Sequence, residues 1–397
     1  MGEHTRFDGW ALDPAVRHLN HGSYGAVRRR TLERQDALRR RIEGGPMRYY
    51  ALAWQDELDQ ARARVAAEVG ARADNLVFVG NASAGTATAL ASAALHAGDD
   101  VVINDHTYRA CRLQVDKLAA ERGLGVVRAT LPVRGADGAP ADPRARAAAI
   151  IAAFTPRTRL VVVDHVTSPT ALVVDVAAVV AAAHAAGIAV LVDGAHGPGQ
   201  LALELDALGA DYYVGNGHKW WCGPHGVGFL WVADHHLDRV VPLVTSHGAD
   251  PRVGPSHRFF ARHDWTGTSD VTAALTLPDA IADVAAEVAP WPVLRARARA
   301  LVHEAAALVG PALGATPLVD AAGSAWMVAL PLALRGAAAG AALERQLLVD
   351  GWEVAIPMLG ERVLLRLSAH AYNHLDDYGA LVAHLRRLGV RGDGDLR

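Results

Sequence analysis

Short, wholly apolar runs recur through the middle of the chain, at 76–80, 101–104, 126–131, 160–164, 189–193, 212–215 and 227–232. Each is rich in Val, Leu or aromatic residues and bounded by turn-forming residues, which predicts a strand. Ala-rich segments with helical periodicity lie between several of them, at 84–97, 108–122 and 176–186. The alternation predicts an α/β domain around a mostly parallel sheet, because parallel strands are joined by crossovers that cover both faces. From about Val271 the pattern changes. Longer helical stretches at 272–289, 294–309 and 339–350 are mixed with apolar runs at 326–329, 352–356 and 363–367, and a last helix is predicted at 375–388. We therefore divide the chain into an arm at 1–20 packing on the small domain, a large α/β domain at 21–270, and a smaller α+β domain at 271–397. Residues 135–143 read as an exposed loop.

Polar residues gather just after the apolar runs: Asn81-Ala82-Ser83, Asp105-His106, Asp164-His165, Asp193-Gly-Ala-His196 and Gly217-His218-Lys219. In a parallel sheet these ends share one edge, where open α/β folds bind ligands. One such pair is what any strand end shows, whereas five on one edge favour a site.

Composition sharpens this picture at one point. Lys and Arg total 39, yet only Lys117 and Lys219 are lysines. Arginine cannot form an imine, since its guanidinium stays protonated, so a lysine kept against such a bias is a candidate reactive amine. Lys117 falls opposite the Cys111, Val115, Leu118 stripe with Glu121 four residues on, a solvated surface position. Lys219 sits in a Gly- and Trp-rich turn that lowers the pKa of an amine by desolvation. The plain alternative is a loop lysine capping a helix. Asp193 ends a strongly apolar strand, where a carboxylate needs a cationic partner, and no basic residue adjoins it in sequence. The pyridinium nitrogen of pyridoxal 5'-phosphate is such a partner, and an Asp with an imine-forming Lys is that cofactor's signature pair. The 26 residues from Asp193 to Lys219 fit one strand–helix–strand excursion along the same edge. Ser83 and Ala84, between a strand and a helix, provide small residues whose amides can meet a phosphate.

The remaining composition excludes classes of function. Half the chain is hydrophobic (51%) and 20% is charged, which excludes a disordered chain. A net charge of −3 gives no electrostatic case for nucleic acid or an anionic membrane. Two cysteines make no disulfide framework, the N-terminal residues carry no signal pattern, and the apolar stretch 171–192 is broken by Asp175 and His184. The expectation is a cytoplasmic enzyme with no membrane span.

Seven segments, in order, resemble the class V aminotransferase family of fold-type I pyridoxal-phosphate enzymes, and within it the isopenicillin N epimerase-like branch. They are Leu19-Asn-His-Gly-Ser-Tyr-Gly, Asp105-His-Thr-Tyr, Asp164-His-Val-Thr-Ser-Pro-Thr, Asp193-Gly-Ala-His, Gly217-His-Lys-Trp-Trp-Cys-Gly-Pro, Trp265-Thr-Gly-Thr and Arg366-Leu-Ser-Ala. The resemblance implies a seven-stranded large-domain sheet and a homodimer with shared active sites. It implies that Lys219 carries the cofactor and moves the Cα proton, while Asp193 keeps the pyridine nitrogen protonated. It further implies that His196 and Ser168 lie near the cofactor's phenolic oxygen and that Tyr108 or His106 stacks on the ring. Ser83, Asn216 and His218 would bind phosphate, with Thr268 reaching it from the partner subunit. Arg366 would pair with the α-carboxylate of an amino-acid substrate, and Asn20 and Gly22 would close the substrate side. Arg48 is a substrate contact or a plain surface arginine.

By the same resemblance the reaction acts at Cα of an amino acid or a cysteine S-conjugate in specialised metabolism: epimerisation, β-elimination, amino transfer or decarboxylation. Neither Cys111 nor Cys222 lies in the C-terminal domain, which argues against persulfide chemistry of the desulfurase kind. Two other classes stay open on the residues alone. One is a metal-dependent hydrolase using Asp105, His106, Asp164, His165, Asp193 and His196, although no HExxH pattern is present. The other is a binding protein that retains the cofactor fold.

Overall fold

The computed structural model describes residues 8–135, 137–250, 252 and 258–394. All seven apolar runs form strands of one sheet, in the order Leu76–Val79, Gly228–Val232, Tyr212–Asn216, Ala189–Asp193, Thr158–Asp164, Asp100–Asn104, Gly125–Ala129. Gly228–Val232 runs antiparallel to both its neighbours and the other strands are parallel to one another. Leu160 to Val163 and Val190 to Val192 are all buried, as a sheet covered on both faces requires. The crossover helices start where the sequence supplies caps. Asn81, Asp142 and Asp175 each accept a backbone N–H three residues on, opening Ala82–Ser92, Pro143–Ala152 and Val176–Ala185.

The C-terminal part forms a second, antiparallel sheet in the order Met358–Leu359, Arg362–Ser368, Met327–Arg335. It packs with Ala337–Val349 and Leu375–Arg387 around a separate core that includes Leu330, Leu347, Leu364 and Leu385. The chain near the N-terminus is fastened here. Arg17–His18 pairs in parallel with Trp352–Glu353, and Asn373 Nδ2 donates to the His18 carbonyl at 2.7 Å. Residues 1–7 of the arm lie outside the described residues.

Several elements differ from the pattern reading. The first crossover helix stops at Ser92, because the chain turns where the His96 amide donates to the Asp99 carboxylate. The strand read at 352–356 shortens to Trp352–Glu353. Three helices before the sheet, Arg29–Glu43, Pro46–Leu52 and Trp54–Glu68, had no counterpart in the reading. Packing also moves the division drawn at residue 270. Thr272–Glu287 buries Leu277, Ile281 and Val284 in the core of the large sheet's helices. The 23-residue helix Trp291–Leu313 then bridges the two cores, giving Trp291, Leu294 and Ala298 to the first and Val302, Val309 and Leu313 to the second. Among the described residues, no helix is long and apolar enough to cross a membrane.

Candidate active site

The carboxyl ends of the parallel strands open on a cleft of about 200 Å³, lined by residues that include Ser23, Tyr24, Ser83, Tyr108, Asp164, Ser168, Asp193, His196, Asn216, His218 and Lys219. Lys219 is held at its floor by a tight turn after Tyr212–Asn216. Gly217 packs against Leu277 so closely that a Cβ there would lie 2.8 Å from a Leu277 methyl. The Lys219 carbonyl accepts the His21 Nε2–H at 3.1 Å, and His21 Nδ1 in turn accepts from the Tyr372 hydroxyl at 2.8 Å.

The protonation state of the lysine follows from its neighbours. The Trp220 indole N–H donates to His196 Nδ1 at 3.2 Å, which fixes the hydrogen of a neutral His196 on Nε2. That Nε2 lies 3.2 Å from Lys219 Nζ, so the amine accepts this hydrogen once it is deprotonated. Burial, and then the positive charge of Arg366, brings the Lys219 pKa down to about 8, with Asp193 opposing them. Burial likewise drives His196 well below the usual histidine range. An amine that is far more readily deprotonated than a free lysine, and so available as a nucleophile, results.

Asp193 is 4% exposed, and no ion pair reaches it among the described residues. One oxygen accepts the Ala195 amide at 3.0 Å and the other accepts the Cys111 thiol at 3.0 Å. Cys111 stays protonated, its pKa raised by burial and then by Asp193. On the adjacent strand Asp164 stands in register with Asp193, and burial together with that neighbour raises its pKa to about 8. Asp164 therefore holds its proton through neutral pH, as a buried carboxyl beside another does.

At the opposite end of the cleft the helix Ala82–Ser92 presents its N-terminus. The Ala82 amide donates to Asn216 Oδ1 at 2.9 Å and the Ala84 amide to Asn81 Oδ1 at 3.0 Å, while the Ser83 amide makes no such bond. His218 adds a buried Nδ1 with no partner and is kept neutral, its pKa lowered to about 4 chiefly by burial. A helix N-terminus with a free amide and an unsatisfied ring nitrogen suits an anion.

Arg366, in the strand Arg362–Ser368, comes from the second core to this cleft. It is 3% exposed, and burial lowers its pKa to about 10, leaving it charged. Nη1 donates to the Ser168 carbonyl at 2.6 Å and lies 3.3 Å from its Oγ; Nη2 donates to Asn20 Oδ1 and Ser23 Oγ at 3.2 and 3.1 Å. Its Nε has no partner, and no carboxylate pairs with it among the described residues. A buried guanidinium held only by neutral groups awaits an anion. Gly22 permits the approach, since a Cβ there would lie 2.7 Å from Met327 Sδ and 3.4 Å from Arg366 Nη2.

Comparison with known proteins fits this arrangement. The aminotransferase class-V profile matches residues 46–290. The chain is 33% identical to the isopenicillin N epimerase of Amycolatopsis lactamdurans, over 95% of its own length and 96% of that protein's. It is 30% identical to a putative L-cysteine desulfhydrase of Oryza sativa subsp. japonica, over 96% and 86% of the two chains. Among solved structures, a C-DES mutant with glycine covalently linked to its pyridoxal-phosphate cofactor superposes with a TM-score of 0.79 at 22% identity, over 97% and 99% of the chains. The chain belongs to the class V aminotransferase family.

It is a pyridoxal-phosphate-dependent enzyme of that family. The residues present fit the cofactor: a readily deprotonated amine, a buried carboxylate without a cation, and an anion cradle share one cleft. The metal-hydrolase alternative falls. His106 bonds to Thr170 Oγ1 at 2.7 Å and His165 to the Tyr213 hydroxyl at 3.0 Å, and these strand-end residues form no metal-ligand cluster among the described residues.

The other sequence candidates are placed as follows. Tyr108 lines the cleft and is 41% exposed, whereas His106 is 2% exposed and does not line it. Ala84 is the third residue of the helix, its amide committed to the cap. Asn20 orients Arg366. Arg48, on Pro46–Leu52, and Thr268 are both exposed and lie outside the cleft. Ser23 and Tyr24 line the cleft without having been assigned a role in it, and Asp164, expected at this edge of the sheet, lines it too. Ser23 was within reach, being the polar residue that follows Gly22. Lys117 pairs with Glu121 at 3.6 Å on the surface.

Proposed function

We propose that this enzyme removes the proton from Cα of an α-amino acid and returns it to the opposite face, an epimerisation. The observation that carries the reading is Arg366: a buried cation without a carboxylate partner, beside the cleft that holds the readily deprotonated Lys219. Arg366 would take the substrate α-carboxylate in two parallel hydrogen bonds, and Asn20, Ser23 and Ser168 hold its fork in place. When bound, pyridoxal phosphate supplies the electron sink for the bond broken at Cα. Lys219 Nζ, its pKa brought down to about 8, would take the proton on its own face, and inversion calls for a second donor on the opposite face to return one. His196 orients that amine, and Asp193 offers its negative charge to the pyridine nitrogen. Ser83, Asn216 and His218 would hold the phosphate, Tyr108 would cover the ring, and His196 with Ser168 would lie beside its phenolic oxygen. Likeness to a named epimerase over nearly the whole chain supports this reaction.

A second reading, β-elimination from cysteine or a cysteine S-conjugate, is favoured by the likeness to the plant desulfhydrase. One experiment divides the two. In deuterium oxide, with a panel of amino acids and cysteine conjugates, epimerisation gives Cα-deuterated substrate of inverted configuration. Elimination gives ammonia, a 2-oxo acid and the freed thiol. Amino transfer gives the oxo acid without ammonia, and a panel giving neither Cα-deuterated inverted substrate nor ammonia with freed thiol would sink both readings.

We further propose a homodimer. Tyr50 donates to the Ser269 carbonyl at 3.0 Å and packs on Trp265, so Arg48 and Thr268 share one outer patch. Exposed Met47 and Leu52 flank Arg48 on the same helix. In the dimer this patch would face the partner's cleft, bringing Thr268 to its phosphate and Arg48 to its substrate. Mixing Lys219→Ala and Thr268→Ala protomers is then expected to regenerate activity, because each hybrid holds one intact site. A monomer in sedimentation that binds cofactor tightly would refute it.

A further inference from the structure

At the sheet edge away from the cleft, Asp211 stands just before the strand Tyr212–Asn216 and is 3% exposed. Three imidazoles converge on its carboxylate. One oxygen lies 3.0 Å from His235 Nε2 and 2.7 Å from His236 Nε2; the other lies 2.9 Å from His184 Nε2 and accepts the Val190 amide at 2.8 Å. His184 comes from the last turn of Val176–Ala185, and His235 and His236 from the 3-10 turn Asp234–His236. Consecutive side chains ordinarily diverge. Here the tight turn brings the two rings to 4.0 Å and seats His236 on the Tyr212 ring at 4.8 Å. The turn is itself anchored, since Asp234 accepts Asn75 Nδ2 at 2.7 Å and pairs with Arg72. Arg72 is therefore engaged by Asp234 and by Asp206 rather than by Asp211.

As hydrogen bonding alone, four N–H donors fill the acceptor capacity of one carboxylate, two on each oxygen. As a coordination sphere the arrangement is well proportioned. The ligand atoms of Asp211, His235 and His236 lie within 4.8 Å of one another, and neighbouring ligands at bonds of about 2.0–2.2 Å are separated by roughly 3 Å. Two imidazoles and a carboxylate are the donor set of borderline divalent ions. We propose that Asp211, His235 and His236 bind a divalent transition-metal ion, zinc foremost, with His184 on the second carboxylate oxygen as the residue that orients the ligand. His235 is 64% exposed in its side chain, which leaves the outer coordination positions to water. The ion would be structural: it ties the start of one strand to the turn after its antiparallel neighbour, away from the cleft that does the chemistry.

The test uses the untagged holoenzyme, dialysed against chelator and titrated with zinc chloride. One ion per chain is expected, with a melting temperature that rises with zinc concentration because binding favours the folded state. The His235→Ala/His236→Ala double variant is expected to lose at least about 100-fold in zinc affinity while keeping its cofactor absorbance. His184→Ala is expected to keep the stoichiometry and lose about 10–100-fold, as partners of ligating groups do. Equal zinc affinity in the wild type and the double variant, or no stoichiometric ion at micromolar zinc, overturns the proposal.

Discussion

Lys219→Ala is expected to abolish covalent attachment of pyridoxal phosphate and to lower turnover by at least about 10²–10⁴-fold, the range spanned by loss of a positioned acid–base group. Lys117→Ala is expected to leave both unchanged, because Lys117 is an exposed residue paired with Glu121. With only two lysines in the chain, borohydride reduction followed by peptide mapping reads the site directly. The sign of the pH dependence follows from the environment of the amine. Burial and Arg366 lower the Lys219 pKa to about 8, so the nucleophilic form is gained as pH rises through that value, well below the range of a free lysine. Adding cofactor to the apo-protein is therefore expected to give an attachment rate with a midpoint near pH 8. A pyridoxyl group on Lys117, or a midpoint in the ordinary lysine range, would overturn the assignment.

Arg366→Leu is expected to fold, keep its cofactor colour and bind amino-acid substrates about 2–5 kcal/mol more weakly, the cost typical of losing one member of a buried charge contact. Arg366→Lys is expected to recover only part of this, since a point charge cannot make two parallel bonds. Stability distinguishes this role from a purely structural one. Arg366 is desolvated without a carboxylate partner, so its removal relieves a buried charge, and the melting temperature of Arg366→Leu is expected to hold or rise. Spectral titration beside a melting curve measures both. Unchanged substrate affinity with a large fall in melting temperature would make Arg366 a structural residue.

The strands were legible because burial on both faces leaves a wholly apolar run, as at Leu160–Val163. The helix Arg29–Glu43 was not, because it buries only Thr31, Gln35 and Ile42 and presents arginines elsewhere, so its sequence shows no apolar stripe. Scarcity pointed to Lys219, and an apolar strand made Asp193 conspicuous. Scarcity and apolar context do not distinguish Tyr108 from His106, two residues after the same strand. That difference is made by Thr170, which holds His106 in the interior from a distant loop. The role of Asp164 beside Asp193, and of Ser23, was hidden for a similar reason: one is defined by the strand beside it, the other by a guanidinium from the far end of the chain. A change of pattern, as near residue 270, marks where strands stop and does not by itself show which core the next helix joins.

The helix Trp291–Leu313 gives its first turns to one core and its later turns to the other. Two lobes joined in this way are coupled in series rather than tethered. A displacement of the second lobe relative to the sheet is borne by a continuous helix, interrupted in its hydrogen bonding only near its end at Pro311, which resists bending far more than a loop does. Arg366 is presented to the cleft from that second lobe, so the distance between the carboxylate-binding guanidinium and the amine of Lys219 is held by that rod together with the bonds from Arg366 to Ser168, Asn20 and Ser23.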